Sequence, residues 1–338
     1  MRILESKVNL LLDKEAKMWA QRSQIMWLKD GDCNTQYFHS KASQQRCRNY
    51  IRSLYDHTGR WCTWPTHITG TILKFYTDLF TSTNADSFEE VVEVIPRVVS
   101  DEMNDKLIRD FTMEEVETAF KQMAPMKALS PDGMPPLFYK TYWSLLGSDV
   151  SYSILHYLNT RVLPPSLGNS FITQIPKVKN IEYVHQFRPT SLSNVLYRIF
   201  SKVLANKLRD IMPLLISEHQ SAFMSDRLIF DNILVAFVLH YMRNHTKGKT
   251  RFMALKLDIS KAYDKVDWAY MEKVLEKMGF HERWVKLMMV CITTTSYFVL
   301  INGEPHGEIT PTWGLHQGDP PLPLPFSHVH RGVAWLDK

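Results

Sequence analysis

The stretch Leu257-Asp258-Ile259-Ser260-Lys261-Ala262-Tyr263-Asp264 closes an apolar run that begins at Phe252. Within 252–259 alternate residues are apolar, and Phe252 and Ala254 between them are apolar too, so that apolar content is high on both faces, which predicts a buried strand. That strand places Asp258 at its carboxyl end. Burying a carboxylate there costs free energy unless a partner offsets its charge. Two interpretations remain open. Asp258 is a ligand for Mg²⁺, which takes one or two carboxylates together with phosphates, or it is a helix cap or the salt-bridge partner of Lys261.

Helical and strand periodicities alternate along the rest of the chain, which predicts an α+β fold. Apolar residues recur at helical spacing in seven segments, at 1–29, 68–80, 137–158, 194–212, 226–243, 268–278 and 281–293. Thr112 and Glu115 have the spacing of a capping box, which predicts a helix from there to about Gln122. A short strand is predicted at 171–175, and Asn302-Gly303 predicts a hairpin between 296–301 and 308–312.

The composition fits a folded chain, since 45% of the 338 residues are hydrophobic and 22% are charged. No apolar run approaches the roughly 20 residues that cross a bilayer, so we expect no membrane partner. The four cysteines lack C-x-x-C spacing, which argues against a disulfide framework and a zinc site and favours an intracellular location, in the nucleus or the cytoplasm. The acidic stretch 86–110 is predicted to be a linker.

Positive charge is concentrated in one part of the chain. The net charge is +5, but residues 121–257 carry 17 Lys and Arg against 7 Asp and Glu, a net of +10. A block of that size is typical of a surface that binds phosphates, although a solvated lysine-rich surface would look the same. A second basic segment follows Asp32 and includes Arg46 and Arg48. Tryptophans 19, 27, 61 and 64 stand among basic residues, where they either stack on bases or, as we favour, pack between helices.

Seven segments, in the same order along the chain, resemble the reverse transcriptase of a LINE-type (non-LTR) retrotransposon, particularly the versions in plant genomes. They lie at 27–39, 127–133, 175–177 with 187–192, 218–223, 227–234, 257–264 and 314–320. The last reads Gly314-Leu315-His316-Gln317-Gly318-Asp319-Pro320. The resemblance implies an RNA-directed DNA polymerase, a nucleotidyltransferase whose partners are an RNA template, a DNA primer and a deoxynucleoside triphosphate.

The resemblance also implies a catalytic metal site. Asp258 matches the family's first metal-binding and catalytic aspartate, and the carbonyl of Ile259 matches its helper ligand for Mg²⁺. Tyr263 matches the aromatic residue that packs under the sugar of the incoming nucleotide, although an ordinary core aromatic would fit the pattern as well. Asp264 is read as structural, as a helix cap before Trp268.

Four further residues match the family's nucleotide-binding positions. Lys177 and Arg188 match the fingers residues that clamp the triphosphate, a role that suits Arg because its fork binds phosphate through two bonds. Gln317 and Gly318 match the loop that packs against the incoming nucleotide and the template base.

The family's fold is a right-hand polymerase, of which this chain would supply the fingers and a partial palm, preceded by a helical connector. The implied boundaries are 1–100 for the connector, 101–257 for the fingers and first palm segments, and 258–320 for the partial palm. We expect an antiparallel palm sheet with the Asp258 strand at its centre. Residues 321–338 are predicted to be a divergent, disordered tail, because prolines 321, 323 and 325 prevent a helix.

Catalysis is not expected of this chain by itself. The family's second metal ligand lies in an aromatic-x-Asp-Asp hairpin, and no Asp-Asp pair occurs in the 338 residues. With one carboxylate the two-metal site cannot form as it does in the family, and the thumb is missing as well. The alternatives to an inactive polymerase are a non-catalytic RNA-binding module and a pseudogene product.

Overall fold

The computed structural model describes residues 2–23, 35–82, 88–125, 129–215 and 263–315, with short helical pieces at 233–234, 237–238 and 240–241. The helices of the described ranges are Arg2–Ser23, Thr35–Asn49, Pro65–Phe80, Glu89–Glu93, Asp101–Ile108, Met113–Lys121, Pro136–Thr141, Trp143–Thr160, Val195–Arg209, Met212–Leu215, Trp268–Lys277 and Glu282–Thr293. Short 3-10 helices occur at Pro165–Leu167, Val184–Gln186 and Tyr263–Lys265.

Two sheets accompany these helices, so the mixed α+β class is confirmed. Strands β1 (Leu54–Tyr55) and β2 (Trp61–Cys62) form a small antiparallel hairpin. The larger sheet has the strand order β4-β3-β5-β6, and its strands are β3 (Asn169–Pro176), β4 (Phe187–Ser193), β5 (Ser296–Ile301) and β6 (Glu304–Ile309).

The larger sheet is mixed, and the antiparallel palm sheet that we expect around the Asp258 strand stays a prediction, because that strand is not part of it as described. β3 pairs antiparallel with β4, and β5 with β6, but β3 and β5 run parallel. The long, partly helical connection between β3 and β5 allows the parallel pairing, which a short turn does not. The strand predicted at 252–259 lies outside the described residues.

The predicted hairpin at Asn302-Gly303 is present, with φ angles of 55° and 97° at its two turn residues. Its second strand begins at Glu304 rather than at residue 308, because a two-residue turn brings Ile301 opposite Glu304 at once. The start of this strand was missed because Glu304, Pro305 and His306 are polar or poor strand formers on an exposed edge.

Two apolar clusters hold the described part of the chain together. The larger one joins the helices Met113–Lys121, Trp143–Thr160, Val195–Arg209 and Glu282–Thr293, and it includes Trp284, which is fully buried. The second packs one face of the larger sheet against the helix Pro65–Phe80. Its buried members include Ile72, Tyr76, Phe80, Ile172, Tyr297 and Val299. Each such side chain contributes roughly 1.5–3 kcal/mol through burial.

The acidic stretch 86–110 is not a linker. It contains the helices Glu89–Glu93 and Asp101–Ile108, and it buries Val99 and Leu107 in the larger cluster. The backbone N–H groups of Val98 and Val99 both donate to the carbonyl of Met278, at 3.0 Å each. The acidic residues lie on the exposed side of these helices, and their number concealed the spaced apolar residues that pack inward.

Two local predictions also need correction. The helix predicted at 137–158 is broken at Tyr142 into two. The basic segment with Arg46 and Arg48, for which the sequence predicted no element, is part of the helix Thr35–Asn49. Asp267, not Asp264, caps the helix Trp268–Lys277, since its carboxylate accepts a hydrogen bond from the Tyr270 N–H at 2.9 Å.

Candidate nucleic-acid interface

The β3–β4 hairpin brings Lys177 and Arg188 to the same end of the larger sheet. Arg188 lies opposite Ile175 in the ladder, and the Lys177 N–H donates to the Gln186 carbonyl at 3.0 Å. Lys177 and Arg188 are therefore diagonal neighbours across the two strands, and such neighbours lie about 7–8 Å apart. Both side chains are exposed, and the Lys177 ammonium donates to the His185 carbonyl at 3.4 Å.

Arg188 points away from the apolar cluster beneath the sheet. Residues of β4 alternate, so that Phe187 is buried in the cluster with the helix Pro65–Phe80 while Arg188 is exposed. Thr173 and Ile175 of β3 share the face of Arg188, and both are at least partly exposed. This face can therefore receive an anionic ligand directly from solvent.

A cleft of about 510 Å³ opens on the same side of the sheet. The helix Thr35–Asn49 lies against β3 there and contributes Arg46 to the cleft, which Thr173 and Asn302 also line. Arg48 lies in the same last helical turn as Arg46 and is exposed. The basic segment that composition pointed to is thus placed beside the hairpin that carries Arg188.

Aromatic side chains are exposed next to this hairpin. Trp61 and Trp64 have exposed fractions of 45% and 71%, so packing in the interior, which we favoured, is wrong for both of them. Tyr55 and Tyr183, which sequence reasoning did not single out, stack on each other with their ring centroids 5.2 Å apart. Trp19 contacts the His39 ring, and Trp27 lies outside the described residues.

The part of the chain that includes β4, β5 and β6 matches a known family. Residues 175–332 match the model of the reverse transcriptases (RNA-dependent DNA polymerases). The chain carries a reverse transcriptase-like domain. Lys177 and Arg188 lie near the start of this domain, and the cleft beside Arg46 is formed partly by residues that precede it.

Relatives of the reverse transcriptase-like domain come from mobile elements. The chain is 26% identical over 302 residues to an uncharacterized 149 kDa protein of transposon TX1 from Xenopus laevis, covering 88% of this chain and 23% of that protein. It is 23% identical to a Pol polyprotein of a type-1 retrotransposable element R2 from Popillia japonica, over 65% of this chain and 30% of that protein. A Drosophila melanogaster R2DM polyprotein is 27% identical over 59% of this chain and 18% of its own length.

The matching family model and these relatives confirm the resemblance to LINE-type (non-LTR) reverse transcriptases that the sequence motifs indicated. The chain spans less than a third of the length of each relative. The plant-like subgroup stays a prediction.

The predicted metal site of the reverse transcriptase-like domain is not among the described residues. Asp258, Ile259, Gln317 and Gly318 lie outside them, and Tyr263 is described only as the first residue of a short 3-10 helix. Within the described ranges there is no group of three or more His, Cys, Asp or Glu side chains that could hold a metal ion.

No helix in the part of the chain that the structure describes is both long enough and apolar enough to span a membrane.

A second cleft of about 1140 Å³ lies between the helices Met113–Lys121 and Val195–Arg209, and it contains a buried lysine that sequence reasoning missed. The Lys207 ammonium donates to the Arg109 carbonyl at 2.6 Å, lies 3.7 Å from the centroid of the Phe111 ring and is 3.9 Å from a carboxylate oxygen of Glu115. Burial lowers the pKa of Lys207 to about 8, against the opposing effect of Glu115. Its contacts are internal to the fold, so we assign Lys207 a structural role.

Proposed function

We propose that this chain binds an RNA template, a DNA primer and a deoxynucleoside triphosphate on the fingers and partial palm of a right-hand polymerase, without polymerising by itself. The observation that carries the proposal is the placement of Lys177 and Arg188, exposed and diagonal to each other at the end of the β3–β4 hairpin. Charge-assisted hydrogen bonds to phosphate are among the strongest in proteins, and two cations at this spacing suit a triphosphate.

Lys177 and Arg188, together called the clamp, contribute differently to phosphate binding. The planar fork of Arg188 can bind two phosphate oxygens at once and fixes their orientation, whereas the ammonium of Lys177 is a compact charge with free rotation. The Lys177 bond to the His185 carbonyl leaves two further ammonium hydrogens for a ligand. Together they would hold the phosphates on the open face of the sheet, above Thr173 and Ile175.

Asp258 and the carbonyl of Ile259 are the residues that would hold Mg²⁺, which in this family neutralises phosphate charge and activates the primer 3′-hydroxyl when bound. Oxygen donors of this kind are the ones that Mg²⁺ prefers. The 338 residues contain no Asp-Asp pair to provide the second metal-binding motif. Binding of template, primer and nucleotide therefore does not lead to phosphoryl transfer in this chain.

Nucleotide affinity tests the clamp. We would measure dTTP binding to the 338-residue protein in Mg²⁺ by equilibrium dialysis, for the parent and for Arg188→Ala and Lys177→Ala. Loss of a hydrogen bond to a charged group costs roughly 1.5–3 kcal/mol, so each variant should bind at least about tenfold more weakly. The matched controls are Arg97→Ala and Lys121→Ala, which remove exposed cations outside the β3–β4 hairpin; Arg97 pairs with Asp101, and Lys121 pairs with Glu117 of its own helix. Equal losses in variants and controls would overturn the clamp.

Primer extension tests the second part of the proposal. An RNA template annealed to a DNA primer, with Mg²⁺ or Mn²⁺ and all four deoxynucleotides, should yield no product. Template-dependent product that Asp258→Ala abolishes would show that the chain is an active polymerase. Salt-sensitive RNA binding without any nucleotide affinity would support the non-catalytic RNA-binding module instead.

A further inference from the structure

Four aromatic rings form a continuous row beside the β3–β4 hairpin. Trp61 lies 4.6 Å from Tyr55, Tyr55 stacks on Tyr183 at 5.2 Å, and Tyr183 stacks on His185 at 5.4 Å, all between ring centroids. The stacked pairs are nearly parallel, with interplanar angles of 27° and 23°. The row thus joins the β1–β2 hairpin to the segment that leads into β4.

The backbone holds the row in place. The Tyr55 N–H donates to the Glu182 carbonyl at 2.8 Å, which ties β1 to the segment that precedes Tyr183. The side-chain oxygen of Gln186 accepts from the N–H groups of Glu182 and Tyr183, at 2.8 and 3.1 Å. Because the backbone on both sides of the stack is bonded, the rings do not depend on burial for their arrangement.

The row is open to solvent. Trp61 is 45% exposed and Tyr183 is 38% exposed, His185 is exposed, and Tyr55 between them is half-buried. Isolated exposed apolar side chains are ordinary on protein surfaces, but four contiguous rings form a patch, and such patches mark binding surfaces.

The charges around the row are mainly positive. The Lys177 ammonium contacts the His185 carbonyl at 3.4 Å, and Lys179 follows two residues later and is exposed. Arg60, next to Trp61, has a 69% exposed side chain, while its partner Asp56 is only 7% exposed and 3.3 Å away. Glu182 is the exposed acidic residue of this segment and Asp56 pairs with Arg60, so the three cations exceed the two carboxylates by one positive charge.

We propose that this row is a stacking platform for unpaired bases of single-stranded RNA, positioned where the uncopied template approaches the β3–β4 hairpin. Aromatic rings with a flanking strip of cations are the combination that binds single strands without sequence preference, because every base has a π face and every nucleotide a phosphate. A peptide rich in proline would also use the rings, but it would gain nothing from Arg60, Lys177 and Lys179. The assignment to template RNA depends on the proposed function.

Binding of three different nucleic acids distinguishes the role of the aromatic row from that of Lys177 and Arg188. Fluorescence anisotropy would measure binding of about 12 nucleotides of single-stranded RNA, of a blunt RNA–DNA hybrid, and of the same hybrid with a 5′ extension of the RNA strand. Tyr183→Ala should bind the single strand and the extended hybrid roughly tenfold more weakly, and the blunt hybrid unchanged. Tyr183→Phe keeps the ring and should match the parent protein. Tyr152→Ala removes a tyrosine that is 68% exposed on the helix Trp143–Thr160 and is the control.

Each result supports or overturns one of the two proposals. If the extension adds no affinity in the parent protein, or if Tyr183→Ala and Tyr152→Ala behave alike, the platform is overturned while nucleotide and hybrid binding leave the proposed function intact. If neither hybrid nor dTTP is bound, both proposals fail. Trp61→Ala is a second variant on the other hairpin and should weaken single-strand binding in the same way, provided that its circular dichroism spectrum matches the parent's.

Discussion

The side-chain amide of Asn302 pairs with both backbone polar groups of Ile51. The Ile51 N–H donates to Asn302 Oδ1 at 2.8 Å, and Asn302 Nδ2 donates to the Ile51 carbonyl at 3.1 Å, across 251 positions of sequence. Asn302 also occupies the left-handed turn position between β5 and β6. One residue therefore shapes the hairpin turn and fastens it to the segment that leads into β1.

Replacing Asn302 with Gly separates these two roles, because Gly adopts a φ of 55° without steric cost and has no amide side chain. We expect the free energy of unfolding to fall by roughly 1–3 kcal/mol, since the partly buried Ile51 groups lose their partners. Urea denaturation measures this directly. Asn302→Ala should be worse than Asn302→Gly because it adds backbone strain, and an unchanged midpoint in Asn302→Gly would show that the pair contributes nothing.

Gly168 lies where the connection into β3 passes the backbone of Thr294. A Cβ at this position would be 2.2 Å from the Thr294 carbonyl oxygen, which cannot move without shifting the chain that enters β5. Gly168→Ala should therefore destabilise the protein by about 3 kcal/mol.

Gly70→Ala is the matched control for that change. Gly70 lies in the helix Pro65–Phe80, and a methyl group added there would enter open space, so this substitution should stabilise the protein by up to about 1 kcal/mol. Thermal unfolding of both variants would measure the contrast, and similar effects of the two substitutions would contradict the close approach at Gly168.

Lys207 should make stability depend on alkaline pH. Its pKa is lowered to about 8 in the folded protein, whereas an unfolded lysine titrates near 10.4. Between roughly these values the unfolded state binds more protons, so the free energy of unfolding should rise with pH relative to that of Lys207→Met. Below about pH 8 the difference between the two proteins should be constant.

Parallel stability curves for the parent and Lys207→Met across that interval would contradict the pKa shift. Lys121→Met removes an exposed lysine from the helix Met113–Lys121 and controls for the loss of one positive charge. Chemical denaturation at closely spaced pH values gives the comparison, because changes in other titrating groups cancel between variant and parent.

Asp56 should make stability depend on acid pH. Hydrogen bonds from the Thr58 hydroxyl at 2.6 Å and from the Arg60 N–H at 3.0 Å hold the pKa of Asp56 well below its usual range. Its stabilising contribution is thus complete above the unfolded pKa of about 3.9 and is lost as the pH falls below it. Asp56→Asn should lose less stability than the parent on acidification, as thermal unfolding at pH 7, 5 and 3 would show. An identical acid response of the two proteins would exclude this role.

Local features of the fold were predictable from the sequence. Thr112 and Glu115 form both bonds of the capping box, at 3.3 and 2.9 Å, and Asn302-Gly303 makes the hairpin turn. In each case the interacting groups lie within a few residues, so spacing alone specifies the contact. The prediction of a linker at 86–110 was wrong because the many acidic residues of this stretch concealed the few apolar residues that recur at helical spacing.

The candidate site depends on contacts that spacing does not encode. Lys177 and Arg188 could be named by resemblance, but their relative position follows from the β3–β4 register, which the ladder from Pro176–Phe187 to Ser170–Ser193 fixes. Tyr55 and Tyr183 are far apart in sequence and belong to no motif, so their stacking appears only in three dimensions. Lys207 was missed for the same reason, since its partner carbonyl belongs to Arg109.

The parallel pairing of β3 with β5 also affects how the chain is made. Ser296 pairs with Asn169 across 127 positions, so β5 is synthesised long after β3 and β4. Until then the hairpin that carries Lys177 and Arg188 has an open strand edge, and an open edge is a site for pairing with other chains. Synthesis that halts before residue 296 would leave Lys177 and Arg188 on an unfinished, aggregation-prone sheet.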